Sequence, residues 1–139
     1  MSEHNLYKAF KKNWEAYIKR IENKEAYIKR IENNIDYGMP DIWLRNPARK
    51  KDIFVELKFL DNKFKKKKLH FRNTQRNWFS EYDGNAFVLF QVDNDYYIFD
   101  NTIFSAMDID FSISFEDFEK TALFKFSDIK EACDYFYNY

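Results

Sequence analysis

From Leu6 through Phe10, Trp14, Tyr17 and Ile21, apolar residues recur at helical spacing, which predicts an N-terminal helix. It starts after Ser2 and places Glu3 in its first turn, where a carboxylate suits the helix dipole. Beyond it the period of the pattern changes from helix to strand. Strand-like segments fall at about 26–31, at 41–45 in "GMPDIWLRN" and at 53–60 in "IFVELKFL". The last two flank a polar turn, "NPARKKD", and read as an antiparallel hairpin. Asn73 or Thr74 then caps a helix, "TQRNWFSEY", that stops at Gly84. "AFVLFQV" and "YYIFD" follow as strands joined by "DND". "SDIKEACDYFYNY" opens on a capping serine, Ser127, and reads as a helix. The order is α-β-β-β-α-β-β, a short segment without clear periodicity, and a final helix, which makes an α/β domain.

One feature interrupts this pattern. "EAYIKRIENK" at 15–24 is followed by "EAYIKRIENN" at 25–34, a tandem repeat that differs only in its last residue. Two copies do not make a solenoid, which needs at least three. Only one copy can be the strand that precedes the hairpin. The second keeps the link to Gly38 short and is expected to be that strand, while the first prolongs the helix. An identical sequence then takes two structures, because context overrides weak propensity. The alternatives are a copy looped out, or one exchanged between protomers.

Composition narrows the class. The 139 residues suffice for one domain with its own core, and 16 Phe, 10 Tyr and 3 Trp make ring packing its main content. Cys133 is the single cysteine, so no internal disulfide forms; it suits a reducing interior and reads as a small helix residue rather than a nucleophile. No 18-residue apolar run or secretory h-region occurs, so neither export nor a membrane span is expected. The net charge of zero conceals a strong segregation. Residues 45–76 hold 12 basic and 3 acidic side chains, whereas residues 77–139 hold 3 basic and 13 acidic ones. A basic block in a neutral protein points to a localised anionic partner. The expected organisation is a core over about 3–100 with an acidic extension over 101–139.

Candidate chemistry sits on the hairpin. In "IFVELKF", Ile53, Val55, Leu57 and Phe59 share one strand face, and Phe54, Glu56 and Lys58 share the other. A half-exposed strand with a same-face ion pair is the plain reading. Asp41, however, is placed to meet Glu56 across the hairpin, and two converging carboxylates suit Mg²⁺, a hard cation. Such an ion polarises a phosphoryl oxygen and lowers the pKa of a bound water, and Lys58 can hold that water or neutralise developing charge.

Pro40-Asp41 followed by Glu56-Leu57-Lys58 resembles the motif of the PD-(D/E)XK nuclease superfamily. "YGMPDIWL", "IFVELKF" and "LHFRNTQRNWF" are similar, more narrowly, to its VRR-NUC (virus-type replication-repair nuclease) branch, with Gln75 and Trp78 at the matching helix positions. The resemblance implies a restriction-endonuclease-like αβββαβ core with a mixed central sheet flanked by helices. It implies a Mg²⁺-dependent endonuclease, with Mn²⁺ as a substitute, that cleaves DNA to 5′-phosphate and 3′-hydroxyl ends. Asp41, Glu56 and the Leu57 carbonyl are then metal ligands, Lys58 the catalytic lysine, and Gln75 a neighbour of the metal or its water. Relatives often add a glutamate from the first helix; Glu3 is the choice, with Glu15, Glu22 and Glu25 as alternatives. Arg30 resembles an arginine of the preceding strand, and neither His4 nor His70 is given a role.

Arg45, Arg49, Lys50, Lys51, Lys65, Lys66, Lys67, Lys68, Arg72 and Arg76 are expected to bind backbone phosphates without reading sequence. Branched or Holliday-junction DNA cut by a homodimer is the preferred substrate, on family analogy, with an intracellular and virus- or phage-encoded origin. The rivals are a homing or restriction-type cutter, a DNA-binding module without turnover, and an acidic C-terminal part that docks a partner or masks the basic face.

Overall fold

The computed structural model describes residues 2–31, 38–82 and 84–139. In chain order the elements are α1 (Glu3–Glu22), β1 (Ile28–Arg30), β2 (Ile42–Asn46), β3 (Lys51–Leu60), β4 (Lys66–Lys68), α2 (Asn73–Glu81), β5 (Ala86–Val92), β6 (Asp95–Phe99), α3 (Thr102–Ala106), β7 (Ser112–Ser114), α4 (Phe115–Thr121), β8 (Phe124–Phe126) and α5 (Ile129–Asn138). Six strands form one mixed sheet in the order β1-β2-β3-β5-β6-β8. Among the described strands, β3 and β5 are the parallel pair, joined through α2, as a parallel pair requires a crossover. β4 and β7 form a separate antiparallel ribbon.

Helices cover both faces. On one, α1 and α5 bury Leu6, Phe10, Trp14, Ile18 and Phe136 against Ile42, Leu44, Ile53, Val55, Leu57 and Leu89. On the other, Phe79, Phe104, Phe111 and Phe118 pack with Val88, Phe90 and Phe99. The α1 stripe runs through Ile18 rather than Ile21, which is exposed. Ser2 caps α1 by accepting the Asn5 N–H, and Asn23 closes it with φ 52°.

The two decapeptides do take two structures. Residues 15–22 of the first copy complete α1, and Ile28-Lys29-Arg30 of the second form the edge strand on β2. The same Ile-Lys-Arg at 18–20 is helical. Residues 32–34 of the second copy lie outside the described residues.

Several boundaries differ from expectation. The strands extend into the polar turn, which shrinks to residues 47–50 because Asn46 pairs with Lys51. Buried Asn46 accepts the Ala48 and Arg49 N–H groups and donates to the Phe136 and Tyr137 carbonyls, so it ties the turn to α5. Arg72, not Asn73 or Thr74, stands at the α2 N-cap, and the helix ends at Glu81 before Gly84. Asp128, not Ser127, caps α5: its carboxylate accepts the Lys130 N–H while Glu131 accepts the Asp128 N–H. The acidic C-terminal part is not an appendage. α5 lies in the first core and β8 pairs with β6 in the main sheet.

Candidate active site

The hairpin brings Asp41 and Glu56 together. Ile42 pairs with Val55, so one step further places Asp41 opposite Glu56. Asp41 Oδ2 accepts the Leu57 N–H at 2.9 Å, which locks the carboxylate against β3. Glu56 is 3% exposed and Lys58 9%, so the half-exposed strand of the plain reading is not what forms. The two side chains share a face, with Lys58 Nζ 3.4 Å from Glu56 Oε2. Lys58 Nζ also donates to the His70 carbonyl and lies 4.8 Å from the centre of the Phe71 ring.

Gln75 completes the group. Its Nε2 donates to Glu56 Oε2 at 2.8 Å and its Oε1 accepts the Arg72 N–H at 2.9 Å, which fixes the orientation of the amide. Gly38 explains how α2 comes so close. Its φ is +75°, and a Cβ there would lie 2.0 Å from the Thr74 carbonyl oxygen. Only glycine lets the chain entering Asp41 press against the first turn of α2.

Glu56 Oε1 is buried and accepts no hydrogen bond. Burial, and then the nearby Asp41, push the Glu56 carboxyl up to about 8, although Lys58 and Gln75 oppose the shift. A proton or a cation would satisfy the orphaned oxygen. The donors here are hard oxygens, and Mg²⁺ is bound by one or two carboxylates with waters filling its remaining positions, so the residues fit that ion. Among the described residues no third acidic, His or Cys side chain joins the pair.

Glu3 is exposed in the first turn of α1. The next residue, His4, lies 3.3 Å from Arg30 Nη1, and the adjacent Ile31 N–H donates to the Asp41 carbonyl. Glu3 is thus at the end of α1 nearer the site. Glu15 and Glu22 lie about 18 Å or more further along the helix at 1.5 Å per residue, where Glu22 accepts the Tyr137 hydroxyl. Glu25 is exposed beyond the helix.

The basic residues divide into two groups. Arg45, Arg49, Lys50 and Lys51 lie at the turn end of the hairpin, about 15 Å from the carboxylates by strand rise, and Arg45 pairs with Asp52. Lys65, Lys66, Lys67, Lys68 and Arg72 are exposed on the side where β3 ends. Arg76 is half-buried, its guanidinium 4.2 Å from the Phe111 ring centre and donating to the Asp108 and Ile109 carbonyls.

The sequence motifs do not point to the His70 carbonyl and Phe71 ring, which hold Lys58. Their signal is "LHF": Leu69 and Phe71 are buried and the His70 side chain is exposed, an alternation that fixes this segment beside β3. Cys133 is a buried α5 residue whose thiol burial pushes up to about 12, as befits a packing role.

A central mixed sheet flanked by helices makes this an α/β fold, with the carboxylate pair and the lysine at the junction of its hairpin and its parallel strands. Among solved structures the chain is similar to Hjc, a Holliday junction resolvase from the archaeal hyperthermophile Archaeoglobus fulgidus. The TM-score is 0.50 at 13% identity, over 84% of this chain and 96% of that one. An identity this low speaks to the fold alone. No protein-family model and no curated protein sequence matches the chain. No helix among the described residues is long and apolar enough to cross a membrane.

Proposed function

We propose that this protein is a metal-dependent DNA endonuclease of the VRR-NUC branch of the PD-(D/E)XK nucleases, acting as a homodimer on branched or Holliday-junction DNA. The observation that carries the reading is the buried Glu56 carboxylate, opposite Asp41, held by Lys58 and Gln75 with one oxygen lacking a donor. Asp41, Glu56 and the Leu57 carbonyl would hold Mg²⁺, for which Mn²⁺ could stand in. When bound, such an ion polarises the phosphoryl group and lowers the pKa of a water.

The chain's own residues set the geometry. The Leu57 N–H aims Asp41, Gln75 aims Glu56, and the His70 carbonyl and Phe71 ring hold Lys58, which would neutralise negative charge developing on the phosphate. Water attack in line with the departing 3′-oxygen leaves 5′-phosphate and 3′-hydroxyl ends. Lysines 65–68 and Arg72 would hold the flanking backbone. The similar structure's role as a Holliday junction resolvase supports the choice of substrate.

The test is cleavage of a labelled four-way junction beside linear duplex and single strand, with Mg²⁺, Mn²⁺ or EDTA, comparing the parent with Lys58→Ala. Junction cutting that needs metal and is lost in the variant is expected. Discrete bands from long duplex would indicate a sequence-specific cutter instead. Salt-sensitive binding without cutting by either protein would overturn the catalytic reading.

A further inference from the structure

A second feature lies on the same sheet face as Glu56. β1, β2 and β3 align Lys29 with Trp43 and Trp43 with Phe54. Tyr27 packs edge-on against Trp43, ring centres 5.2 Å apart, and remains 61% exposed. Phe54 meets Trp78 and Tyr82 of the α2 region, whose rings stack at 4.6 Å. An aromatic row therefore crosses the sheet from its edge to α2. Beside the row lies an open groove of about 460 Å³ lined by Lys29, Arg30, Ile31, Met39, Trp43 and Phe54. Phe54 is two residues from Glu56, and Trp43 two from Asp41, about 7 Å along each strand.

We infer that this groove is a subsite for an unpaired nucleobase, which stacks on Trp43, braced edge-on by Tyr27, while Lys29 holds its phosphate. The inference rests on the nuclease reading above and adds what makes the substrate branched. Every base presents a π-face, so aromatic rings flanked by cations retain unpaired strand without reading its sequence. A base inside an intact duplex is already stacked and has no face to offer. The groove lies about 7 Å from the carboxylates, so a strand leaving a branch point could place its first unpaired base there. A second copy of the chain is a poorer occupant, because a two-fold contact centred on this groove would bring the two Lys29 cations together.

Binding in EDTA separates this subsite from turnover. The probes are a labelled duplex and the same duplex carrying a single-stranded branch. Trp43→Ala should weaken the branched probe about tenfold or more, the usual effect of losing one base stack, and Tyr27→Ala, which removes the ring that braces Trp43, should weaken it in the same direction by about threefold or more. Duplex affinity should stay within about twofold, and Trp43→Phe should restore most of the loss. Tyr27 is exposed, so its variant keeps the test valid if Trp43→Ala unfolds, as a thermal melt will show. Equal losses on both probes, or none on either, would overturn the subsite. So would sedimentation showing that Trp43→Ala turns a dimer into a monomer, since the groove would then hold protein. Parent protein that binds neither probe sinks the DNA reading itself; parent that binds both, with variants unchanged, sinks only the subsite.

Discussion

Glu56 holds its proton at neutral pH because burial disfavours the charged form and Asp41 adds repulsion. Its folded value, about 8, lies above the ordinary value of 4.5. The stability it contributes is therefore complete below about pH 4.5 and is lost as pH rises through about 8. Urea unfolding of the parent and Glu56→Gln from pH 4 to 9 should show the parent's relative stability falling by up to about 1.4 kcal/mol per pH unit in that window. A flat difference would remove the buried-carboxyl account. Divalent cation and proton compete for the same oxygens, so Mg²⁺ should raise the melting temperature at pH 8.5 and have little effect at pH 6. Part of this site can be read from the sequence: Asp41, Glu56 and Lys58 are fixed by strand alternation and one hairpin. Lys58's acceptor cannot be, because a backbone carbonyl carries no residue signature.

Among the elements, the loop before β2 and the start of α2 depend on a single missing side chain. Gly38→Ala adds a Cβ where the Thr74 carbonyl stands, at a left-handed φ. We expect a loss of about 2 kcal/mol or more in denaturant unfolding, with Gln75 drawn off Glu56. The same loss without any fall in cleavage would show that α2 positioning does not matter to the site. Long regular elements are legible from local pattern: α1 carries a helical apolar stripe, and β5 and β6 are apolar runs bounded by turn residues. β4 is not, since "KKK" has no period of its own and becomes a strand only by pairing with β7, whose Ile113 lies opposite Lys67. Phe64, packed on Phe115 and Phe118, and buried Leu69 pin the basic run at both ends. α3, α4 and β8 are short for the same reason: their stability comes from distant partners.

Across the whole molecule, the charge segregation along the chain suggests a basic core and an acidic tail, but the fold interleaves them. Lys66 pairs with Asp108, and α5 contributes Ile129, Ala132, Cys133 and Phe136 to the core beneath α1. A chain ended at Ser127 should lose cooperative unfolding in a calorimetric scan; a retained sharp transition would show that the core closes without α5. The duplicated decapeptide also bears on how the molecule reaches this state. While the chain folds, residues 18–20 and 28–30 offer β2 the same three side chains in the same order. Capture of the earlier copy satisfies the edge of the sheet but strips the last turns from α1 and pulls Ile18 out of the core. That arrangement has to unzip before the native one can form. Refolding should therefore divide into a direct route and a delayed one, and the delayed fraction should vanish once helix-favouring replacements at residues 18–20 make the two copies distinguishable.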